Sequence, residues 1–430
     1  MLDAADNASP VDAVEAVTRE LGLKLAASSI SLLIADLSGR ALVRLAHVPF
    51  DADDDADDDA DGGRRIAVEE SATVLPFDGG EREQVMRSQQ AQVVAPHPGG
   101  GGRGGTWTVL APVTQRGETL GLLEVALRVQ PEARALEAIR RAAFVLGFVL
   151  VANRRHTDLF EWGQRTRPFS LSAEIQRRLL PAAFTCEAAA FTLSAWLEPA
   201  ASVGGDTFDY SLDRDVLHLS MTDAMGHGVP SALTATLCLG ALRSARRSGM
   251  SLLEQADHAN SALLEHSESV DVEAFVTGLI GRLDLTSGDL ALINAGHVAP
   301  YLAREGSVAA LELPGGLPLG LFGDATFGST VIPLRAGDRL VMVTDGMLER
   351  NAAAFDITEG IADTRALHPR EAVRYLADAI LAKAGHELTD DATLLVLDWN
   401  GDHLTERVAT AGSQIAHTSG ALDGEQTDQG

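Results

Sequence analysis

Four short motifs in the C-terminal half combine aspartate with glycine or with the end of an apolar run. They are residues 204–209 (GGDTFD), 222–228 (TDAMGHG), 343–346 (VTDG) and 389–393 (TDDAT). The end of a strand holds a side chain rigidly, and a neighbouring glycine lets the backbone come close to a ligand. We therefore expect the aspartates of these motifs to converge on one site.

Carboxylates that converge raise one another's pKa unless a cation compensates their charge. Mg²⁺ and Mn²⁺ suit this role because they prefer oxygen ligands and retain bound water. Zinc is disfavoured, since the only cysteines are Cys186 and Cys238 and the histidines are scattered. Two hard ions roughly 3.5 to 4 Å apart hold a bridging water, lower its pKa and polarise a phosphoryl group. The motifs therefore indicate hydrolysis of a phosphate ester.

Each motif alone has a simpler explanation, because an isolated Asp-Gly is usually a turn and an aspartate before an apolar strand is often a cap. The histidines likewise have both a catalytic and a structural explanation. His227 and His297 are candidates for protonating the oxygen of the departing group, and the alternative is a hydrogen-bonded loop residue. Asn294 is a candidate for capping its turn. Only the four motifs together favour a functional site over four turns.

The elements that must position these motifs alternate between strands and helices. Apolar and β-branched runs predict strands at residues 191–197, 216–221, 275–284, 290–294, 339–343 and 393–397. Helices are predicted at residues 230–247, 251–265 and 369–383. The turn at residues 286–289 is too short for a crossover, so the strands beside it are antiparallel. The predicted fold class is α+β, with helices on a mainly antiparallel β-sandwich.

The N-terminal block has its own strands, predicted at residues 29–35 and 41–48 and in a hairpin of residues 107–113 and 120–127. Residues 110–126 (LAPVTQRGETLGLLEVA) resemble the strand-turn-strand near the end of GAF sensor domains. The resemblance implies a smaller α/β domain, residues 1–130, that senses a small-molecule or protein signal of unknown identity.

A helical linker is predicted at residues 131–181. The first helix has one apolar face, formed by Leu136, Ile139, Ala143, Leu146 and Leu150. Ser172 is predicted to cap a second helix that ends at Pro181. Two linked amphipathic helices either form a stalk that supports a homodimer or transmits a signal, or complete the core of one domain. Both alternatives are open.

Three segments have compositions that predict irregular structure. Residues 51–61 hold eight carboxylates in eleven residues. They predict a solvated loop, since the Gly at the sixth and the Glu at the twelfth position of a calcium-binding EF-hand are missing. Residues 98–105 (PGGGGRGG) predict a flexible connector, because the Gly-Lys-Ser/Thr of a phosphate-binding loop does not follow. Residues 401–430 predict a disordered tail.

Charge and hydropathy narrow the classes of partner. The formal net charge is −27, from 34 Lys and Arg against 61 Asp and Glu, which opposes binding to nucleic acid or to an anionic membrane. The longest apolar run, residues 142–152, is shorter than the roughly 20 residues that span a bilayer, and a signal peptide is not recognisable. Two cysteines without C-x-x-C spacing fit a reducing compartment. We expect a cytoplasmic protein that binds neither nucleic acid nor membrane.

Five motifs in a fixed order carry a family resemblance. They are residues 204–206 (GGD), 223–228 (DAMGHG), 294–297 (NAGH), 344–346 (TDG) and 390–393 (DDAT). The set resembles the metal-dependent protein phosphatases (PPM, the protein phosphatase 2C superfamily), and more narrowly the bacterial sporulation stage II protein E type. The resemblance covers about residues 172–398. It implies a PPM-type phosphatase domain at residues 182–400.

The resemblance also implies roles for individual residues. Asp206 and Asp223 would be the catalytic pair that binds or bridges two Mn²⁺ or Mg²⁺ ions, and the carbonyl of Ala224 would add a backbone ligand. Asp345 and Asp390 would complete the ligand set. Supporting roles around these ligands would fall to Gly205, Asp209, His227, Asn294 and Asp391.

The implied function is that of a serine/threonine protein phosphatase regulated by its N-terminal sensor domain. By the same resemblance, its substrate would be a phosphorylated regulatory protein, an anti-sigma-factor antagonist. The alternative is a non-catalytic ligand-sensing or scaffold protein whose phosphatase-like domain only binds partners. The presence of all four predicted aspartate ligands favours the enzyme.

Overall fold

The computed structural model divides the chain into two compact units, Met1–Pro168 and Phe169–Arg407. The described residues are 1–36, 41–50, 74–77, 79–96, 106–163, 170–198, 205–270, 274–348, 355–383 and 390–401. The acidic run, the glycine-rich stretch and the tail after Gly401 lie outside the described residues. The predictions made for those three segments therefore stay predictions.

The N-terminal unit contains a six-stranded antiparallel sheet. Its strands are β1 (Ser29–Ala35), β2 (Ala41–Pro49), β3 (Val74–Pro76), β4 (Gln92–Val94), β5 (Trp107–Gln115) and β6 (Glu118–Leu127). They are joined in the order β3-β2-β1-β6-β5-β4. The helices are α1 (Leu2–Asn7), α2 (Ala13–Leu25), α3 (Glu81–Ser88), α4 (Ala133–Asn153) and α5 (Leu159–Gly163). The four strands predicted here are present, and β1 has its predicted bounds.

Helices cover both faces of this sheet. On one face, Val17 of α2 and Ile139 of α4 belong to the same core as Leu32. On the other face, Val85 of α3 belongs to a core with Leu33. The apolar face of α4 is therefore buried inside the N-terminal unit, so this half of the predicted linker completes a domain core. Within the described residues, neither α4 nor any other helix has the length and hydropathy needed to cross a membrane.

The C-terminal unit begins with α6 (Leu171–Leu179). Its strands are β7 (Thr185–Glu187), β8 (Phe191–Glu198), β9 (Thr207–Leu212), β10 (Val216–Ala224), β11 (Val276–Asp284), β12 (Asp289–Ala295), β13 (Tyr301–Arg304), β14 (Ser307–Ala310), β15 (Ser329–Pro333), β16 (Asp338–Val343) and β17 (Ala392–Trp399). The other helices are α7 (Gly228–Arg247), α8 (Leu252–Val270), α9 (Ile357–Asp363) and α10 (Pro369–Lys383). Every strand and helix predicted in this half is found, with bounds shifted by a few residues or less at most ends.

The strands of this unit form two antiparallel sheets. One has the order β15-β12-β11-β10-β9 and the other the order β14-β13-β16-β17-β8-β7. Alternate residues of a strand face the same side, and Phe191, Phe208 and Met221 lie in one core with residues of both sheets. Helices α7 and α8 cover the outer face of the first sheet, and α9 and α10 that of the second. The predicted α+β sandwich flanked by helices is confirmed for this unit.

The start of α6 differs from the prediction. Ser170, rather than Ser172, is the cap, because the Ser170 Oγ accepts a hydrogen bond from the backbone N–H of Ala173 at 3.2 Å. Ser172 is buried in the first turn of the helix. The predicted linker at residues 131–181 is thus divided, with α4 in the N-terminal unit and α6 in the C-terminal unit.

Candidate active site

Asp206 lies immediately before β9 and is 2% exposed. Its Oδ2 accepts hydrogen bonds from the hydroxyl of Thr344 at 2.7 Å and from the hydroxyl of Thr393 at 2.6 Å. Thr344 follows β16 and Thr393 lies in β17, so both donors come from the six-stranded sheet. Asp206, from the edge of the five-stranded sheet, is therefore oriented by the opposite sheet.

Asp223 lies near the end of β10, beside the segment that carries Asp206. The Ala224 N–H donates to the carbonyl of Gly205 at 3.3 Å. A Cβ at position 205 would overlap the carbonyl oxygen of Ala224, so the approach of these two backbones requires glycine. Phe208 pairs with Met221 in the ladder, which places Asp206 and Asp223 on the face that looks toward the other sheet.

Asp345 and Asp390 come from the six-stranded sheet, and both are exposed. Asp345 begins a short 3₁₀ turn, Asp345–Met347, directly after β16. Asp390 precedes β17, and its Oδ1 accepts from the N–H of the buried Asp391 at 2.8 Å. A Cβ at Gly346 would overlap the carbonyl oxygen of Asp391, so the two loops are in close contact.

The electrostatics of these residues show that the carboxylates share one environment. Burial raises the pKa of Asp206 well above its usual range, and the nearby charges of Asp223 and Asp391 raise it further. Burial raises the pKa of Asp223 to about 7, with added contributions from Asp345, Asp390 and Asp391. The site therefore favours a bound cation, which would relieve this repulsion.

The donor set fits a hard divalent cation by type and charge. All the converging side chains offer carboxylate oxygens, the ligands that Mg²⁺ and Mn²⁺ prefer. Among the described residues, no three carboxylate, histidine or cysteine side chains are grouped tightly enough to hold a metal ion between them. Mg²⁺ usually binds through one or two carboxylates and keeps several waters, so such a site suits it.

Asp209 does not join this site, contrary to its predicted supporting role. It pairs with Ser220 in the ladder and lies on the sheet face opposite to Asp206. Its Oδ1 accepts from Nη2 of Arg243 at 2.8 Å, and its Oδ2 accepts from Nη1 of Arg246 at 3.1 Å. Asp209 therefore anchors α7 to the sheet. Neighbouring side chains of a strand face opposite sides, and Asp209 consequently points away from the other carboxylates.

The histidines and Asn294 are placed differently from one another. His227 is exposed at the residue before α7 and makes no side-chain cap. His297 is buried, its Nδ1 lies 2.9 Å from the hydroxyl of Thr277, and burial lowers its pKa to about 4. It is therefore neutral near pH 7, which favours the loop alternative over an acid. Asn294 caps the turn, since its Oδ1 accepts from the His297 N–H at 2.7 Å.

Three residues around the carboxylates were not identified from the sequence: Thr344, Thr393 and Gln176. The two threonines lie inside the TDG and DDAT motifs, so their positions beside aspartates were a usable signal. Gln176 is different. It lies on α6, and its Nε2 donates to Asp391 Oδ2 at 2.7 Å across 215 positions of sequence. Nothing in its local pattern indicated that contact.

Comparison with known families assigns the C-terminal half. The model of the stage II sporulation protein E (SpoIIE) family matches residues 213–400. This segment is a SpoIIE-family phosphatase domain. The predicted family and the predicted phosphatase class are thereby confirmed for this half of the chain. The matched SpoIIE segment contains Asp223, Asp345 and Asp390 but begins after Asp206 and α6, which the fold joins to it.

Relatives of the SpoIIE domain are distant in sequence. The chain is 25% identical over 234 residues to phosphoserine phosphatase RsbU of Bacillus subtilis (strain 168), covering 53% of this chain and 68% of RsbU. It is 22% identical over 215 residues to phosphoserine phosphatase RsbP of the same organism, covering 48% and 52%. The solved RsbU and RsbW domains of a Mycobacterium tuberculosis protein align at a TM-score of 0.43 with 27% identity, covering 49% and 60%. The chain thus spans about half to two thirds of these relatives.

Proposed function

We propose that the chain is a phosphoserine/phosphothreonine protein phosphatase that uses two Mn²⁺ or Mg²⁺ ions. The proposed ligands are Asp206, Asp223, Asp345 and Asp390, with the carbonyl of Ala224. The observation that carries the proposal is the convergence of aspartates from both sheets: Asp223 and Asp391 raise the pKa of Asp206, and Asp345, Asp390 and Asp391 raise the pKa of Asp223. When bound, such ions supply a water of lowered pKa and polarise the phosphoryl group.

The chain's own residues have three tasks in this proposal. Asp206 and Asp223 place negative charge at the centre of the site, and the hydroxyls of Thr344 and Thr393 fix the orientation of the Asp206 carboxylate. The close packing of Gly205 on Ala224 presents the backbone of that strand end to the site. The backbone N–H of the buried Asp391 donates to Oδ1 of Asp390 and orients that carboxylate.

We also propose that the substrate is a phosphorylated regulatory protein, of the anti-sigma-factor-antagonist class. Support comes from the SpoIIE-family match and from two relatives that are named phosphoserine phosphatases. The N-terminal unit, which we propose is GAF-like, would regulate the domain in response to a signal. Deleting residues 1–168 should change the rate, the metal affinity or the oligomeric state. The regulatory proposal fails if all three are unchanged.

The activity is tested with an aryl phosphate and a phosphoserine peptide, each assayed with Mn²⁺ and with a chelator. We expect hydrolysis that depends on Mn²⁺ and falls at least about 1,000-fold in Asp223→Asn, because that variant loses a central carboxylate. The matched control is Asp289→Asn, an exposed aspartate at the far end of β12, which should keep full activity. Wild-type inactivity on both substrates, also after deletion of residues 1–168, would favour the non-catalytic scaffold.

A further inference from the structure

Gln176, on α6, forms side-chain hydrogen bonds to two of the segments that carry the aspartates. Among the described contacts of α6, no other side chain does so. Gln176 is 2% exposed. Its Nε2 donates to the backbone carbonyl of Asp206 at 2.8 Å and to Oδ2 of Asp391 at 2.7 Å. A side-chain amide nitrogen carries two hydrogens, so both of its donors are used.

The two acceptors of Gln176 belong to different sheets. Asp206 leads into β9 of the five-stranded sheet, and Asp391 precedes β17 of the six-stranded sheet. The amide therefore joins the segment that carries Asp206 to the segment that carries Asp390 and Asp391. A hydrogen bond to a charged acceptor is stronger than a neutral one, so this connection resists separation of the two segments.

The helix that carries Gln176 is itself held at both ends. Ser170 caps its first turn. At its last residue, the carbonyl of Leu179 accepts from Nη2 of Arg243 at 2.6 Å, and Arg243 is paired with Asp209. The Gln176 amide is thus carried by a helix that is fixed at both ends. A residue can fix the distance between other groups only if its own supporting element is rigid.

We propose that Gln176 is a positioning residue of the metal site, acting through Asp391 and the Asp206 backbone. This inference rests on the proposed phosphatase function. Residues behind metal ligands orient those ligands, and their loss typically weakens metal affinity or activity about 10- to 100-fold. Without Gln176, the Asp391 carboxylate loses a donor, and the threonine hydroxyls on Asp206 are left to join the two segments, so the ligands are held less firmly in a binding arrangement.

The competing explanation is that Gln176 is only a buried amide that satisfies nearby carbonyls. Gln255 provides the matched control for that role. It lies on α8, is 4% exposed, and its Nε2 donates to the backbone carbonyl of Met250 at 2.9 Å, with no aspartate as acceptor in the described contacts. Gln176→Met and Gln255→Met each remove a buried amide donor and keep side-chain length.

The test is calorimetric titration of the full-length chain with Mn²⁺ alone, with folding checked by circular dichroism. We expect Gln176→Met to raise the apparent Kd for Mn²⁺ by about 10-fold or more, and Gln255→Met to leave it within about twofold of wild type. Gln176→Glu is a second variant, because its carboxylate faces that of Asp391 and should weaken Mn²⁺ binding at least as much. The inference is overturned if the folded Gln176 variants bind Mn²⁺ as wild type does.

A double-mutant cycle identifies the route of the effect. If Gln176 acts through Asp391, then Gln176→Met in an Asp391→Asn background should change the Kd by less than about threefold, since the two sites are coupled. A full, additive loss in that background overturns the Asp391 part of the inference. If wild type itself binds no Mn²⁺, the proposed function falls along with the inference. Wild-type binding with unaffected Gln176 variants removes the inference alone.

Discussion

Asp206 and Asp209 lie three positions apart at one strand, and both are almost fully buried, yet their surroundings are opposite. Asp206 faces the inter-sheet side, where its neighbours are other carboxylates and two threonine hydroxyls. Asp209 faces α7, where Arg243 and Arg246 neutralise it within the chain. We call these two regions the acidic end and the arginine clamp of the C-terminal unit.

The contrast shows how the same residue type serves binding in one place and stability in another. A buried carboxylate with fixed guanidinium partners has no further need of a cation, so it contributes to the fold. Carboxylates that repel one another at a partly buried site, as at Asp206 and Asp223, are costly while metal-free and gain by binding a cation. The acidic end should therefore be sensitive to metal and pH, and the arginine clamp should be insensitive to metal.

The largest difference is expected from removing one aspartate in each region. Asp209→Ala leaves two arginines without their shared carboxylate and should lower the free energy of unfolding by about 3 kcal/mol. Asp206→Asn keeps an oxygen to accept from the two threonines and relieves repulsion, so the metal-free protein should change by less than about 1 kcal/mol. Urea denaturation in chelator measures both. Equal losses would contradict the contrast.

A second difference concerns pH in the metal-free protein. The folded-state pKa of Asp223 is raised from 3.8 to about 7, so the folded state holds a proton that the unfolded state has released. Stability linked to Asp223 is full below about pH 4 and is lost as the pH rises through 7. We expect wild type to lose roughly 2 kcal/mol more than Asp223→Asn between pH 4 and pH 8.

The pH comparison has an internal control. Burial lowers the pKa of His297 to about 4, so His297 makes the free energy of unfolding rise with pH. This contribution is the same in wild type and in Asp223→Asn, so it cancels when the two pH profiles are subtracted. Saturating Mn²⁺ should remove the difference in slope, because a bound cation holds Asp223 ionised. Identical pH profiles of the two proteins in chelator would show that the pKa of Asp223 is not raised in the folded state.

A smaller effect is expected at the cap of α6, the helix that contacts both regions. Ser170→Ala removes the acceptor for the Ala173 N–H and should cost about 1 kcal/mol. Ser170→Asp restores an acceptor and should recover most of that loss. Thermal unfolding of the two variants measures the effect, and a Ser172→Ala change larger than Ser170→Ala would contradict the assignment of the cap.

The smallest effect is expected at His227, an exposed residue four positions after Asp223. His227→Ala should lower kcat on the phosphoserine peptide by less than about threefold, because a loop residue contributes little to a departing group. The aryl phosphate, whose leaving group needs no proton, serves as the comparison substrate. A loss of 100-fold or more on the peptide alone would instead establish His227 as a general acid.

Much of this protein was predictable from local pattern. Strands such as β1 and β12 and helices such as α10 follow from apolar periodicity and turn residues, which act over a few positions. The predicted α+β sandwich followed from the short turn between β11 and β12. Strand β9 was not predicted, because Asp209 and Tyr210 interrupt its apolar run. The role of α4 stayed undecided between a stalk and a domain core, because an apolar face does not show which surface it packs against.

At the site, local sequence pattern predicts which aspartates, glycines and threonines are available and at which strand ends they lie. The folded chain was needed to see that Asp209 turns away toward Arg243, and that Gln176 bonds to Asp391, 215 positions away. The reason is physical: a one-residue step in a strand reverses the face of a side chain, and contacts between sheets depend on packing that spacing along the chain does not encode.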